Sequence, residues 1–452
     1  MTTDTSPPTA SMRAEFWPLI RLAVPLMVGL SAALMIGVID TAMISPLGTV
    51  PLAAAGVTTA VLIILVSALW GVVTVISVQI SQARGAGDPG RVALALRSGL
   101  LLCFLGGGVA ALIMVGIYPL LGPLGQPEEV LAVLLPYWLS MAFWMVPFTL
   151  FFGTKALFDA VDWPWSAVGL SYLGVLFNVP ANYLFIHVLG LGVLGAGLAS
   201  ILSQCVSLLA ALLVLSRAAG LREFRQSVTV AWSDVRAQLK DALPLCLGYA
   251  GEGGAYAIVG LMMGWLGAEA LAAHQIVNAL AGLAYMIPLG MAGAASIRIG
   301  EAFGAGSRER LRPILKSAFA LVTLWQGMAA VLFVTFGRTM AEAMSNDPAV
   351  IDLAVTLFII VALLQVADGI QGTALGGLRG MSDMTRPTLI TLVAYWPLAL
   401  PASFVLGFTL EVGAVGIWLG YTLGLVVAAI ALPWRFWAIS RGARVSTGPQ
   451  DH

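Results

Sequence analysis

The sequence predicts an all-α integral membrane protein with twelve transmembrane helices in two six-helix bundles related by a parallel pseudo-twofold repeat. Three observations predict this fold: an apolar composition, apolar segments long enough to cross a bilayer, and an internal repeat. The chain of 452 residues is 60% hydrophobic and only 10% charged. Since soluble domains carry about 25% charged residues, a soluble protein is excluded. Apolar runs longer than about 18 residues indicate membrane helices, because a barrel strand would alternate polar and apolar residues.

The internal repeat has a constant offset of 219 residues, which is the separation of Leu47 from Leu266. The stretch from Pro25 to Gly87 has the same plan as the stretch from Pro244 to Gly306, without a gap. The matches include Leu47-Gly48 with Leu266-Gly267, Gly71 with Gly290, Ser77 with Ser296, Gly85-Ala86-Gly87 with Gly304-Ala305-Gly306, and Arg91 with Arg310. A register of this length indicates a duplicated chain.

The apolar segments define each span in turn, because each exceeds the roughly 20 residues that cross the hydrocarbon core. The first six lie near 17–44, 53–80, 92–121, 130–155, 163–188 and 192–217, and the second six near 241–266, 270–300, 312–337, 349–378, 385–410 and 413–438. Proline occurs inside several spans and is tolerated there, because neighbouring helices satisfy the freed backbone groups. The predicted domains are a tail at 1–16, a six-helix lobe at 17–218, a linker at 219–240, a second lobe at 241–440 and a tail at 441–452.

The positions of Lys and Arg predict the orientation. Every second connection between spans is basic, and of the 22 basic residues only Arg338 falls on the opposite side. The other connections carry acids instead, such as Glu269 and Glu342. The positive-inside rule therefore predicts a multi-pass protein with both termini in the cytoplasm. Because each half has an even number of spans, the two halves share one orientation, which is a plan that recurs in transporters.

Two carboxylates of the second half, Glu252 and Asp368, stand within apolar spans. An ionisable group at membrane depth is costly and marks a functional hypothesis. Counting residues from the cytoplasmic ends of their spans puts both near the midplane, at the same level. Two carboxylates in a low-dielectric site do not both ionise unless a cation joins them, so this pair predicts a Na⁺ or proton site. The alternative is that each is a protonated acid bonded to a neighbouring helix.

A second polar cluster is predicted in the first half. Asp40 near the external end of the first span has the same depth as Asn182 of the fifth span, and Asn178 lies one turn deeper on the same face. Ser200 enters the sixth span at a compatible depth. Carboxylate, amide and hydroxyl oxygens at one level predict a site for a hard cation or a proton. The alternative is that the two Asn side chains only tie helices together.

Several weaker candidates remain open. His274, Gln275 and Asn278 form either the wall of a polar cavity or a helix-packing seam. Asp347-Pro348 has the pattern of a helix start, with Asp as N-cap. We expect Lys155, Asp159 and Asp162 to form a turn after the fourth span. Cys103, Cys205 and Cys246 stand singly, without the spacing of a metal site or disulfide framework.

No motif for enzymatic chemistry is found in the sequence. A phosphate-binding P-loop, a GxSxG nucleophile elbow and an HExxH zinc motif are all absent from the 452 residues. The sequence therefore predicts a protein that is not an enzyme, with no cofactor other than a coupling Na⁺ or H⁺ ion.

Four segments resemble the MATE (multidrug and toxic compound extrusion) family, and within it the NorM-type branch. They are GVIDTAMISPLGTVPLAAAG, LFNVPANYLF with GLGVLGAGLAS, EALAAHQIVNALAGLAYMIPLGMAGAASIRIGEAFGAG and LLQVADGIQGTALGGLRGMSDMTRP. The similarity extends over about 16–440. It implies two bundles that alternate between inward-facing and outward-facing states and export organic, often aromatic cations in exchange for Na⁺ or H⁺.

The resemblance also implies roles for individual residues. The coupling-ion residues would be Glu252, Asp368, Asp40, Asn178 and Asn182, and the substrate-contacting residues would be Asp40, Asp347, Gln275, Asn278 and Gln371. Pro25 matches a first-span proline associated with bending in some members. Leu364 stands where some relatives have a tyrosine, so their Na⁺ geometry does not transfer directly.

These observations together predict a cation-coupled exporter whose partners are small organic cations, drugs and membrane lipids, with no nucleic acid and a monomeric state. The alternative is a flippase for lipid-linked precursors. That alternative needs a cationic cavity for pyrophosphate, and no basic cluster lies within the predicted spans. A channel would need a ring of charge or a symmetric filter, and the sequence offers neither.

Overall fold

The computed structural model describes residues 11–441, and these residues are almost entirely helical. Twelve helices are long and apolar enough to cross a membrane. They are α1 Met12–Ile44, α2 Thr49–Gly85, α3 Pro89–Ile117, α4 Glu128–Ala160, α5 Pro164–Asn182, α6 Gly192–Arg217, α7 Trp232–Trp265, α8 Ala268–Gly304, α9 Arg308–Glu342, α10 Pro348–Gly380, α11 Thr385–Thr409 and α12 Ala414–Arg441. The predicted fold class is confirmed.

Several helices extend beyond the predicted spans at the ends that the sequence predicts to be cytoplasmic. The first helix begins at Met12 inside the predicted tail, and α7 begins at Trp232 inside the predicted linker. Polar and charged residues in these end turns lower the hydropathy without breaking the helix, so a count of apolar residues ends too early. Of the two predicted tails, residues 1–10 and 442–452 lie outside the described part of the chain.

The backbone repeats as the sequence does. The helices α2 and α8 have 37 residues each, and α4 and α10 have 33 each. Ten of the eleven residues with positive φ within residues 11–441 occur in pairs at offsets of 219 to 221: Gly48 and Gly267, Gly87 and Gly306, Asp162 and Ser382, Gly190 and Glu411, and Gly192 and Gly413. The exception is Gly125, between α3 and α4. Because L-residues rarely adopt positive φ, this agreement is not explained by helical content alone. The two halves therefore share four of their turns as well as their helices.

Two compact units account for the contacts of the described residues. One contains residues 22–254, and the other contains residues 11–21 together with 255–441. Within the first unit α4 packs against α2, α3 and α6, and within the second unit α10 packs against α8, α9 and α12. These two central helices correspond in the repeat. The predicted domain boundaries stay a prediction.

Each unit has an apolar core closed by large side chains. In the first unit Trp138 is fully buried, and its indole N–H donates to the Met114 carbonyl at 2.8 Å. In the second unit Phe333 stacks on Phe358 with ring centroids 5.3 Å apart. Large apolar side chains also cover the outer surface, where Leu112 is 73% and Trp434 is 74% exposed. So large an apolar exterior is typical of a surface that faces lipid.

The turn between α7 and α8 offers a test of the fold. Gly267 has φ 116° and ψ 175°, a region open essentially only to glycine. We expect Gly267→Ala to lower the free energy of unfolding by about 1–3 kcal/mol, since the added Cβ strains the backbone. Thermal unfolding of the protein in detergent measures the change.

Gly264→Ala is the matched control, three residues earlier within α7, where an added Cβ meets no atom within 4 Å. Alanine is the better helix former, so this variant should be equal to or more stable than the original protein. Equal destabilisation by the two substitutions would contradict the assigned backbone geometry.

Candidate functional site

The most complete polar site of the first unit surrounds Asp40. This carboxylate on α1 is only 7% exposed, while Asn178 and Asn182 of α5 are fully buried. The Asn178 side-chain amide donates to Asp40 Oδ1 at 3.1 Å, and the Asn182 amide donates to the same oxygen at 2.7 Å. Ser200 Oγ on α6 donates to the other oxygen, Asp40 Oδ2. The structure therefore brings together all four residues that the sequence placed at one level.

Local structure explains why these side chains converge. Asn178 and Asn182 are one turn apart on α5, so they lie on one face of the helix. The amide of Asn182 also donates to Asn178 Oδ1 at 3.1 Å, which fixes their mutual orientation. Gly195 brings α6 close to the end of α5, since a Cβ there would stand 2.7 Å from the Phe185 carbonyl carbon. The small residue thus lets Ser200 reach Asp40.

The chemistry of this cluster suits a small cation or a proton. Asp40 is the one carboxylate among its four members, and the others contribute neutral amide and hydroxyl groups. Asn182 Oδ1 is buried without a hydrogen-bond partner among the described residues, so an acceptor oxygen remains beside the carboxylate. Hard cations prefer such oxygen ligands. Within residues 11–441 no three His, Cys, Asp or Glu side chains group together as a metal site would require.

The predicted carboxylate pair of Glu252 and Asp368 does not fall within a single unit. Glu252 lies on α7 in the part of that helix that belongs to the first unit, while Asp368 lies on α10 in the second unit. Both side chains are half-buried and both make interactions in the structure. Their joint role as an ion site stays a prediction.

A chain of hydrogen bonds surrounds one predicted substrate residue of the second unit. The Tyr256 hydroxyl on α7 donates to Asn278 Oδ1 on α8, and the Asn278 amide nitrogen lies 2.9 Å from His274 Nε2. Asn278 therefore belongs to a polar group between α7 and α8.

Aromatic rings enclose this polar group. The Tyr256 ring lies 5.7 Å from that of Tyr421, and the His274 ring lies 5.4 Å from that of Trp418. His274 Nδ1 is buried without a hydrogen-bond partner in the described part of the chain. Tyr421 and Trp418 lie on α12, far along the chain from α7 and α8, so sequence analysis alone could not place them beside Tyr256 and His274.

The remaining predicted substrate residues have different environments. Asp347 is the N-cap of α10, and its Oδ1 accepts from the Ala349 amide at 2.9 Å, as the Asp-Pro pattern predicts. Gln275 is exposed on α8. Gln371 is fully buried on α10, and neither polar atom of its amide has a hydrogen-bond partner within residues 11–441. Their roles toward a substrate stay predictions.

The sequence interpretation of the end of α4 was wrong. Lys155 and Asp159 are not in a turn: they lie within the helix, which continues to Ala160, and form a buried ion pair with Nζ and Oδ2 2.6 Å apart. Only Asp162 is in the turn. The spacing of four residues between opposite charges on an apolar helix was the signal for this pair.

A comparison with known protein families also finds the two halves of the chain. A family model described as MatE matches residues 25–184 and again residues 244–405, which are offset by 219 and 221 residues. The "Probable multidrug resistance protein NorM" of Bradyrhizobium diazoefficiens is 30% identical over 450 residues, covering 96% of each chain. The protein of that name from Xylella fastidiosa is 29% identical over 435 residues, covering 94% of this chain and 92% of its own.

Solved structures share the fold at lower identity. A eukaryotic MATE transporter, AtDTX14, has a TM-score of 0.86 at 19% identity and covers 95% of this chain and 98% of its own. The Vibrio cholerae MATE transporter VcmN in the bent form has a TM-score of 0.83 at 21% identity, covering 95% and 98%.

Removal of one donor tests the geometry around Asp40. Asn182→Ala removes the hydrogen bonds to Asp40 and to Asn178, and we expect it to lower the free energy of unfolding by about 1–3 kcal/mol, the cost of an unsatisfied buried polar group. Thermal unfolding of the purified protein measures this change. Val179→Ala, an exposed position on the same helix, is the control and should change stability by less than about 0.5 kcal/mol. If both variants unfold at the same temperature, Asn182 does not support Asp40.

Proposed function

The chain belongs to the MatE family, and on that premise we propose that it exports organic, mainly aromatic cations in exchange for Na⁺ or H⁺. Membership identifies a multi-pass membrane transporter rather than an enzyme. The export of drugs is a property of the family. The proposal goes beyond family membership in two respects: it names the coupling ion as Na⁺ or H⁺ and the substrates as aromatic cations.

The environment of Asp40 is the observation that carries the proposal. A carboxylate buried among α1, α5 and α6 accepts from three side chains, and an amide oxygen beside it has no partner among the described residues. A buried ionised carboxylate is expensive in hydrocarbon, so a fold that retains one needs a counter-charge for part of its cycle. A bound Na⁺ or H⁺ supplies that charge, with Asn178 and Asn182 as the neutral members of the site.

Glu252 and Asp368 supply the second part of the proposed coupling. Each is an acid in a spanning helix, where ionisable groups by default belong to ion or proton pathways. Binding of the ion must favour one of the two access states, because a ligand with equal affinity for both states shifts nothing. We assign to these acids the affinity difference that drives release of the exported cation to the outside.

The proposed substrate follows from charge and ring chemistry. Acidic and amide groups at Asp40, Asp347, Gln275, Asn278 and Gln371 attract and orient a cation. Aromatic side chains such as Tyr256 and Tyr421 attract it further through cation–π contact, which is strongest when water is excluded. The name of the relatives, a multidrug resistance protein, agrees with export of such compounds.

The proposed setting is the bacterial inner membrane, with a monomer whose ends are both cytoplasmic. Basic residues stand at one set of helix ends: Arg84 and Arg217 close α2 and α6, and Arg379 and Arg441 close α10 and α12. By the positive-inside rule these ends face the cytoplasm. Lipid headgroups are the expected partners of the exposed members of this set, Arg217 and Arg441.

Neutral variants of the three acids test the coupling. Asp40→Asn, Glu252→Gln and Asp368→Asn should each lower gradient-driven export of ethidium, an aromatic cation, from proteoliposomes by about tenfold or more, equivalent to about 1.4 kcal/mol of activation free energy. Na⁺ gradients and pH gradients are imposed separately, and the gradient that drives export by the original protein identifies the ion.

Glu411→Gln is the control for loss of a carboxylate, because Glu411 is an exposed acid at the end of α11. This variant should export ethidium at the original rate. Full export by all three variants of the spanning acids would refute the proposed coupling.

A further inference from the structure

The ion pair of Lys155 and Asp159 is the strongest polar feature that the proposed function does not use. The two residues are 4% and 8% exposed, and the pair lies inside the first unit at the cytoplasmic end of α4. A buried ion pair is seldom retained for stability, since well-packed apolar residues of similar volume are often equally or more stabilising. Its retention in an apolar helix therefore calls for a functional reason.

The carboxylate of this pair is only partly satisfied. Asp159 Oδ2 binds the Lys155 ammonium at 2.6 Å, while Asp159 Oδ1 is buried with no hydrogen-bond partner in the described part of the chain. A carboxylate with two acceptor oxygens and a single bonded cation can accept a second cation at the free oxygen. The Lys155 ammonium already occupies one oxygen, so a second cation that binds the other oxygen would compete with it for the same carboxylate.

The lysine side chain packs closely against α1. A Cβ at Gly29 would stand 3.2 Å from Lys155 Cε and 3.4 Å from Nζ. Val168 of α5 is the third neighbour of that position, at 3.7 Å. Glycine at position 29 therefore leaves the space that the Lys155 ammonium occupies when it is paired with Asp159.

Polar side chains lead from Asp40 toward this pair. Gln204 on α6 is one turn below Ser200 on the same face, is buried, and has an amide nitrogen without a partner among residues 11–441. Lower in the same unit, Ser31 of α1 and Tyr172 of α5 share a hydrogen bond of 2.9 Å. Gly29 is two residues below Ser31 and about 16 Å along α1 from Asp40. Polar groups thus recur along the whole interior of the first unit.

The charged groups around the pair are also fixed. Arg84 at the end of α2 donates to the carbonyl of Ala160, the residue after Asp159, at 2.6 Å. The same guanidinium pairs with Asp162, which is largely exposed.

We propose that Lys155 and Asp159 form a cytoplasmic cation-exchange site, through which the coupling ion leaves the Asp40 cluster for the cytoplasm. The ammonium of Lys155 is a tethered cation that occupies Asp159 when no ion is passing. An arriving Na⁺ or H⁺ binds Asp159 at Oδ1, and the ammonium of Lys155 then releases Oδ2. When the ion leaves, the ammonium returns, so the carboxylate is neutralised at each step. This inference rests on the function proposed above for Asp40.

The double variant Lys155→Met with Asp159→Asn tests the exchange site, because it removes both charges and leaves none uncompensated. Ethidium export from proteoliposomes is measured under the gradient that drives the original protein, and ethidium binding to the full chain in detergent is measured separately. We expect export to fall about tenfold or more, with binding changed by less than about twofold. Asp162→Asn removes a neighbouring exposed carboxylate and should export at the original rate.

The outcomes separate this inference from the proposed function. If the double variant exports normally while Asp40→Asn does not, the exchange site is refuted and the coupling at Asp40 stands. If Asp40→Asn exports normally, the proposed function itself fails. A double variant that does not fold, or one that loses ethidium binding with export, assigns the pair to structure and overturns the exchange site.

Discussion

The cost of a carboxylate in hydrocarbon is the constraint around which the first unit is organised. Without water, Asp40 needs donors from the protein, and they must come from helices that also satisfy their own backbones. Three helices therefore converge on one side chain, with Asn178 and Asn182 on one face of α5 and Ser200 on α6. Gly195 permits the approach of α6 that completes the set. The close packing of α6 at a small residue is therefore required for the hydrogen bonds that stabilise Asp40.

The two halves share the same helices and most of their turns, but their buried polar residues differ. At the offset of 221 the positions of Asn178, Asn182 and Ser200 correspond to Ala399, Ser403 and Tyr421. Conversely Glu252 corresponds to Ala33 at the offset of 219. The turns, by contrast, agree in backbone conformation between the halves. Each unit therefore carries its own polar group, one around Asp40 and one around Asn278, on a shared scaffold.

Much of the fold could be predicted from the sequence because hydropathy and charge act along the chain. The twelve spans follow from the long apolar runs, and the repeat follows from matching residues at a constant offset. The Asp40 cluster follows from the depth of its members, since residues at one level on neighbouring helices can meet. Contacts that depend on the rotation of helices could not be predicted. The ring contacts of His274 with Trp418 and of Tyr256 with Tyr421 require knowing which faces of α7, α8 and α12 meet. The Lys155–Asp159 pair was misread because charge density suggested a helix end, whereas mutual neutralisation lets both residues remain in the helix.

The π-helical segment of α11 accounts for a one-residue difference in length between the two halves. The separation from Ser382 to Pro401 is one residue longer than the corresponding separation from Asp162 to Pro180. A π-helical segment at Ala394–Ala399 lies in that interval, and a π turn takes one more residue than an α turn. The extra residue is therefore absorbed within the helix, and beyond it Glu411 and Gly413 again match Gly190 and Gly192. The second half thus holds one residue more than the first in the middle of a membrane span. The π-helical segment accommodates this residue locally, and the loop beyond it keeps its conformation.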